Sequence, residues 1–492
     1  MSTKHKVRVP DDYASLPKER LVPIVTHLLE VIRILKAENE ELKRSAKRQA
    51  APFSKGNKKG KDKKKPGRKP GKGSFTNRTA PPPEDVTDEV PVETPKTCPH
   101  CGGVDLEVAW EDAFITEIPE PRPKVIHYHR PVCRCNHCKH RWRAPHPDLA
   151  DDQFGATAHR LGPRLRASAH FLHYRIGITM RKVPLVLAEL NGVKVTQSAL
   201  TQDAIRTAKA GPLMDCYEKI KADIAKAPVV HVDPTSWRKA GKAACLNVFA
   251  TPDTPQKAGK TLYQVQDHHG ADEIIDVLGE NFEGVLVTDR GPEFDAKKLK
   301  DWKKQKCNTH IKRNIGKVLE DKTGPARRFG QVLRNLLDEA RQLRRDYDGG
   351  KRRGYKKKVA DLEDRLTHHL RDRTLVDPDN QRLLNGIGQQ NDGGHVVRFL
   401  HDFNLSPDNH LAEQQIRFSV IARKVSHCSK NDAGAHAHAV HSSVYQTESR
   451  AEQRENPKPS VVERIRRFFK PRHQTDKQGS LARDPPPEPQ SV

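Results

Sequence analysis

Apolar positions near the start of the chain repeat every seven residues. Leu21, Leu28, Leu35 and Leu42 form one row, and Val25, Ile32 and Asn39 each fall four residues after its first three members. Over residues 16–48 this spacing predicts a helix with Leu at d and mainly β-branched residues at a, the seam of a parallel leucine zipper. The single polar a residue, Asn39, is of the kind that fixes register and two strands at a cost in stability. An amphipathic helix docked on the protein's own body satisfies the same pattern.

The periodicity then lapses and returns in a different form. Residues 49–96 read as linker: residues 54–74 hold ten Lys/Arg against one Asp, and residues 80–96 are rich in Pro and acids. A run of that kind cannot bury apolar surface. Its stretch 65–71 (KPGRKPG) suits either a DNA minor groove or a solubilising spacer. Residues 155–225 are helical in pattern and poor in strand formers. Within them Gly177, the apolar set Val183 to Leu190, Gly192 and then Thr196 or Ser198 as a cap read as helix, turn, helix. Such a pair either enters a major groove or simply packs.

From residue 226 short apolar runs alternate with helical patterns. Residues 227–233, 243–250, 261–267 and 284–289 read as strands, 271–278 as a helix, 306–309 as a candidate fifth strand and 311–319 as a basic helix, with a short candidate helix at 296–303. The order β-β-β-α-β-α-β suits a mixed sheet flanked by helices. Residues 320–400 are charged and helical, an insertion that either contacts DNA or forms a solvated hairpin. Residues 401–450 resume the domain, and 451–492 read as a tail that carries one basic amphipathic stretch at 461–470.

Composition narrows the class. The 492 residues carry 89 Lys+Arg against 63 Asp+Glu, a formal net charge of +26, with 35% hydrophobic and 5% aromatic residues. An excess of this size points to a polyanionic partner, because neutralising phosphates releases condensed counterions. No stretch has the ~20 uncharged apolar residues of a membrane span, and Met-Ser-Thr-Lys-His-Lys lacks the apolar core of a secretory signal. The expectation is a cytoplasmic, nucleoid-associated protein.

Five of the nine cysteines fall within residues 98–138. Cys98-Pro99-His100-Cys101 and Cys135-Asn136-His137-Cys138 are two Cys-x2-Cys knuckles, four thiolates for one tetrahedral structural Zn2+ in a finger spanning 97–145. Residues 113–118 and 124–130 between them read as strands of a zinc ribbon. Cys133 is a fifth candidate ligand, and His137 or His140 could replace a thiolate.

Two of the apolar strands end in an acid: VVHVD at Asp233 and GVLVTD at Asp289. If those strands are neighbours, the carboxylates sit side by side, which is costly unless a hard divalent cation neutralises them. A third carboxylate is expected. The stretch SPDNHLAEQQIR (residues 406–417) has helix-start chemistry at Ser406 and Pro407. Ala412, Ile416 and Val420 would pack on the sheet, putting Glu413 at the margin of that face. Arg417, Arg423 and Lys424 lie close behind it. Cys307-x2-His310, with Arg313 nearby, is either a core cysteine with a capping histidine or a functional pair. The histidines of GAHAHAVH (434–441) are a weak metal candidate.

Read together, these parts resemble bacterial transposases of the insertion sequence sixty-six family over about residues 20–455. The order is the same: leucine zipper, Lys/Pro/Gly linker, Cys-x2-Cys finger, helical region and catalytic domain of the DDE type. VVHVDPTSW resembles the family's first-acid strand, GVLVTDRGPEFD its second-acid strand and SPDNHLAEQQIRFSVIARK its third-acid segment. The resemblance implies a multidomain α+β protein with an N-terminal coiled coil, a zinc ribbon, a helix-turn-helix region and a ribonuclease H-like mixed α/β domain carrying a helical insertion. It implies Asp233, Asp289 and Glu413 as the ligands of two Mg2+ (or Mn2+) ions that cleave element ends and transfer the strand to target DNA. Implied partners are double-stranded DNA, a second copy joined through the zipper, and accessory proteins, which such elements commonly encode. Two positions depart from the family: Pro234 replaces a usual Glu after the first acid, and Arg290-Gly291-Pro292-Glu293 follows the second. A domesticated DNA-binding protein and a purely hydrolytic nuclease are the rival readings.

Overall fold

The computed structural model describes residues 17–19, 21–32, 35, 79–118, 120–320, 322–371, 374–426, 428–454 and 459–471. Asn39 and Leu42 of the zipper row lie outside them. The chain divides into two compact units, 1–119 and 120–492. In the first, residues 21–32 form helix α1, with Leu21 and Leu28 half-buried and Val25 and Ile32 exposed.

The second unit opens with a small hairpin. β1 (Val132–Arg134) pairs antiparallel with β2 (Arg141–Arg143). Residues 113–118 and 124–130, expected as strands, are not strands. The two strands instead flank the second knuckle, because the tight turn of Cys135 to Cys138 returns the chain on itself. Four helices follow: α2 (Pro163–Tyr174), α3 (Val183–Asn191), α4 (Gln197–Lys209) and α5 (Pro212–Ala225). Thr196 caps α4, its hydroxyl accepting from Ala199 N–H at 3.2 Å. Gly192 turns between α3 and α4 at φ +64°, and a Cβ there would meet Pro121 O at 2.6 Å, so both conformation and space require glycine.

The core is a five-stranded sheet built from β3 (Val229–Lys239), β4 (Lys242–Ala250), β5 (Thr261–Gln266), β6 (Val285–Thr288) and β7 (Lys303–Lys306). Its order is β5-β4-β3-β6-β7. β3, β4 and β5 are antiparallel neighbours, whereas β6 runs parallel to β3, and β7 to β6. The fifth strand starts three residues earlier than expected, and the expected helix at 296–303 is instead a pair of 3-10 turns, Pro292–Asp295 and Lys297–Leu299.

Period-two alternation decides which face each valine serves. Val230, Val232 and Leu286 pack under α5, α6 (Ala271–Leu278) and α12 (Asp432–Glu452). Val229, Val285 and Val287 face α7 (Asn308–Glu320) and the helices α8 (Gly324–Asp348), α9 (Tyr355–Leu370) and α10 (Pro378–Asp392). The 320–400 region is therefore neither a loose hairpin nor an appendage, since Leu333, Leu337, Leu362, Leu366 and Ile387 share one core with the sheet. α11 (His410–Ser426) lies on β3 and β4, with Ala412 and Ile416 against Trp237, Leu246 and Val248. It begins at His410 rather than at Pro407.

Part of the segment expected as tail is ordered. α13 (Val461–Arg466) and the 3-10 turn Arg467–Phe469 pack on α2, with Val461, Ile465 and Phe469 buried. The Phe469 ring stacks on His170 with centroids 5.6 Å apart, and Arg166 lies over it at 4.8 Å. Phe469→Ala is expected to destabilise this unit by about 3 kcal/mol, read as a lowered thermal unfolding temperature.

Candidate active site

β3 and β6 run parallel, pairing His231 with Val287. Asp233 and Asp289 each lie two residues beyond that pair, so the strand register alone sets the two acids level at the same end of the sheet. Asp289 accepts Gly291 N–H at 2.9 Å, which turns the chain into the 3-10 segment that carries Glu293. Glu293 is buried, 3.3 Å from His269 Nε2.

The third acid arrives from far along the chain and is held by a polar clamp. Asn409 Nδ2 donates to Val232 O at 2.8 Å, while its Oδ1 accepts from the His231 ring at 3.1 Å. Asp408 accepts from Thr309 N–H (2.9 Å) and Thr309 Oγ1 (2.8 Å), and Arg341 of α8 grips both its oxygens at 2.8 and 2.7 Å. Burial pushes the Asp408 carboxyl up, but Arg341 and Thr309 outweigh it and hold the group below the usual range. These contacts pin the start of α11 against β3, and Glu413 sits in its first turn.

Burial and neighbouring charge act together on Asp233. Burial, then the charges of Asp289, Glu413 and Glu293, push the Asp233 carboxyl from 3.8 up to about 7. All these influences carry one sign, which is the surroundings a divalent cation neutralises. Glu293 is likewise raised, chiefly by burial. The fully buried Lys306 lies 2.8 Å from Asp295, and its charge acts against the rise at Glu293. The donor set is thus oxygen-only and anionic, fitting Mg2+ or Mn2+. Glu413 has a second neighbourhood, because its Oε1 lies 3.5 Å from His310 Nδ1. Among the described residues, the three-ligand group with atoms within 4.8 Å of one another is Cys307, His310 and Glu413 rather than the three acids.

Other candidates are placed plainly. Arg423 is committed to Thr235 and Ser236 side chains of β3 at 2.9 and 2.8 Å, while Arg417 is exposed. The α12 histidines serve packing: His438 stacks on Trp237 at 4.9 Å, and His441 Nε2 bonds to Ala204 O at 3.1 Å.

The two cysteine knuckles fall in different units and share one local geometry. In the first, Gly102 N–H returns to Cys98 O at 2.9 Å, and backbone donors of His100 and Cys101 lower the Cys98 thiol. In the second, Cys138 N–H points at Cys135 Sγ at 3.5 Å, and the Cys135 thiol is lowered by Cys138 and then by His137. Each leading cysteine is thus surrounded by N–H groups that favour thiolate. Cys133 belongs to β1, level with Trp142.

Sequence comparison is decisive about kinship. The profile of the transposase IS66 family matches residues 159–437, just over half of the chain. The chain belongs to that family. A second profile, the zinc-finger binding domain of transposase IS66, matches residues 95–139 and so includes both knuckles. No curated protein gave a significant match. As an IS66-family transposase, the chain has its matched segment running from the helices before the sheet, through β3 and β6, into α12. No described helix is long and apolar enough to cross a membrane.

Sequence reasoning singled out Asp233, Asp289 and Glu413 but missed Glu293, Asn409, Asp408 and Arg341. Two outcomes are expected. Because the folded value of Asp233 lies above its ordinary one, ionisation opposes folding: the cost is absent below about pH 4 and complete above pH 7. Asp233→Asn is therefore expected to stabilise the metal-free protein at pH 8 by a few kcal/mol, with the gain shrinking toward pH 4 in EDTA-treated thermal melts. Asn409→Ala orphans the buried Val232 carbonyl and His231 ring. It is expected to cost about 2–3 kcal/mol in denaturant unfolding and to weaken Mn2+ binding by titration.

Proposed function

We propose that the protein is a DDE-type DNA transposase whose triad is Asp233, Asp289 and Glu413. The observation carrying this reading is the convergence of acids from two adjacent parallel strands and a distant helix, whose charges add to burial in raising the Asp233 carboxyl to about 7. The strand order β5-β4-β3-β6-β7, with the first two acids at the ends of neighbouring strands, supports a ribonuclease H-like sheet. When held by these carboxylates, two Mg2+ or Mn2+ ions would supply Lewis-acid polarisation of the scissile phosphodiester and activation of the attacking water or 3′-OH. The chain's own task is positional. Strand register aligns Asp233 with Asp289, and Asn409 and Asp408 fix the helix start that presents Glu413.

DNA is the substrate to which the remaining parts point. The four thiolates Cys98, Cys101, Cys135 and Cys138 are proposed to hold one structural Zn2+. The exposed first turn of α4 (Gln197, Ser198) after its Thr196 cap suits a major groove. The exposed Val25 and Ile32 of α1, beside half-buried Leu21 and Leu28, support dimerisation through a zipper, which would hold two element ends together. Such a substrate places the protein with the nucleoid in the cytoplasm, alongside accessory proteins of the same element. A DNA-binding protein without chemistry is the second reading, favoured by Pro234.

Purified protein with labelled element-end DNA and a target plasmid is expected to give joined products with Mg2+ and none with EDTA. Asp233→Ala and Glu413→Gln are each expected to reduce them to background. End binding by all three proteins without any cleavage, under every metal condition, would favour the second reading. Removal of zinc is expected to abolish end binding, measured by gel shift.

A further inference from the structure

Cys307-x2-His310 is unused by the proposed triad, yet the fold brings it to the acid that comes from farthest away. β7 ends at Lys306, and Cys307 N–H donates to Thr288 O at 2.7 Å, fixing this cysteine beside the strand that leads to Asp289. α7 starts at once, so His310 falls in its first turn. Cys307 Sγ, His310 Nδ1 and a Glu413 carboxylate oxygen all lie within 4.8 Å of one another.

Three details give this cluster the character of a ligand set. His310 Nδ1 is a buried atom with no hydrogen-bond partner, facing Glu413 Oε1 at 3.5 Å. Nitrogen and oxygen ligands of tetrahedral zinc stand roughly 3.3 Å apart. Cys307 Sγ accepts Asn409 N–H at 3.3 Å and lies 4.0 Å from Asp408 Oδ1, so a bound ion would take the place of the thiol proton. Sulfur, imidazole and one carboxylate with a fourth position open is a borderline-soft donor set, which selects zinc over magnesium. The His310 and Glu413 side chains keep 25% and 34% exposure, so an ion has a route in.

We propose that Cys307, His310 and Glu413 form a site for a thiophilic divalent ion such as Zn2+, separate from the cysteine knuckles, whose occupation withdraws Glu413 from Asp233 and Asp289. Binding rests on this geometry alone. Its inhibitory consequence rests on the transposase reading above. Glu413 then has two exclusive engagements: hard ions with the acids of β3 and β6, or a softer ion with Cys307 and His310.

The test uses the full-length chain equilibrated with buffered free Zn2+, its metal content read by mass spectrometry. The wild type is expected to retain one zinc per chain more than Cys307→Ser or His310→Ala. Loaded with Co2+, it should exceed Cys307→Ser by the charge-transfer absorption of a single thiolate. Glu413→Gln leaves the buried cysteine untouched and is expected to bind the extra ion more weakly. Equal zinc content in the wild type, Cys307→Ser and Glu413→Gln would overturn the site. In the strand-joining assay, zinc at that occupancy is expected to suppress Mg2+-dependent product, and excess Mg2+ to restore it. Zinc-filled protein joining DNA at full rate would overturn the competition while leaving the site standing. A chain that joins no DNA with any metal would sink the transposase reading, and the zinc count would still be readable.

Discussion

Carboxylates crowded at the end of two parallel strands repel one another, and the second unit is organised around tolerating that repulsion. Burial first, and then the charges of Asp289, Glu413 and Glu293, raise the half-buried Asp233 to about 7. The cluster persists because its members are held by contacts independent of their charge. Strand register fixes Asp233 and Asp289. Glu413 is fixed indirectly, through Asn409 on the β3 backbone and Asp408 on Thr309 and Arg341. The scaffold therefore stores an unfavourable arrangement that a divalent cation can relieve, the exchange of stability for function expected of such a site.

The helices inserted between the second and third acids gain a structural reason from this. Arg341 of α8 is the cation that anchors Asp408, and Gln390 of α10 binds Arg290 directly after the second acid at 2.9 Å. Both segments flanking the acids are thus braced by the insertion, whose core runs without a break into Val285 and Val287 of β6. Any contact it makes with DNA would be mechanically joined to the positions of two of the three carboxylates.

Much of this was legible in the sequence, and the reasons are uneven. Apolar runs ending in Asp gave β3 and β6 and their acids, because a buried strand has few ways to be written. Ala412 and Ile416 were found from a helical repeat, since one face of α11 must cover Val248 and Trp237. Asn409 and Asp408 were not found. Their partners are a backbone carbonyl and an arginine 67 residues away, and no local pattern encodes such pairs. The segments at 113–118 and 124–130 had strand-like composition but no partner, whereas the hairpin formed where a tight cysteine turn closed it. Phe469 was hidden in a charged tail, its value set by His170 and Arg166 far upstream.

Pro234 stands where the resemblance leads one to expect Glu, and the sheet explains why proline is tolerated there. Proline in a central strand removes a ladder donor and is excluded where both edges are paired. β3 is central by order, but β6 pairs with it only over Val229 to His231. From Asp233 to Trp237 β3 has β4 as its strand neighbour, Pro234 standing level with Asn247, and a second backbone neighbour returns at Lys239, which Ser429 bridges. The strand outruns its parallel neighbour at the point where the acids begin. A fourth carboxylate acts on Asp233, supplied by Glu293 from the turn after β6. The charges of Asp289, Glu413 and Glu293 still act together on Asp233, so Pro234, although it favours the reading without chemistry, leaves the acidic surroundings of Asp233 in place.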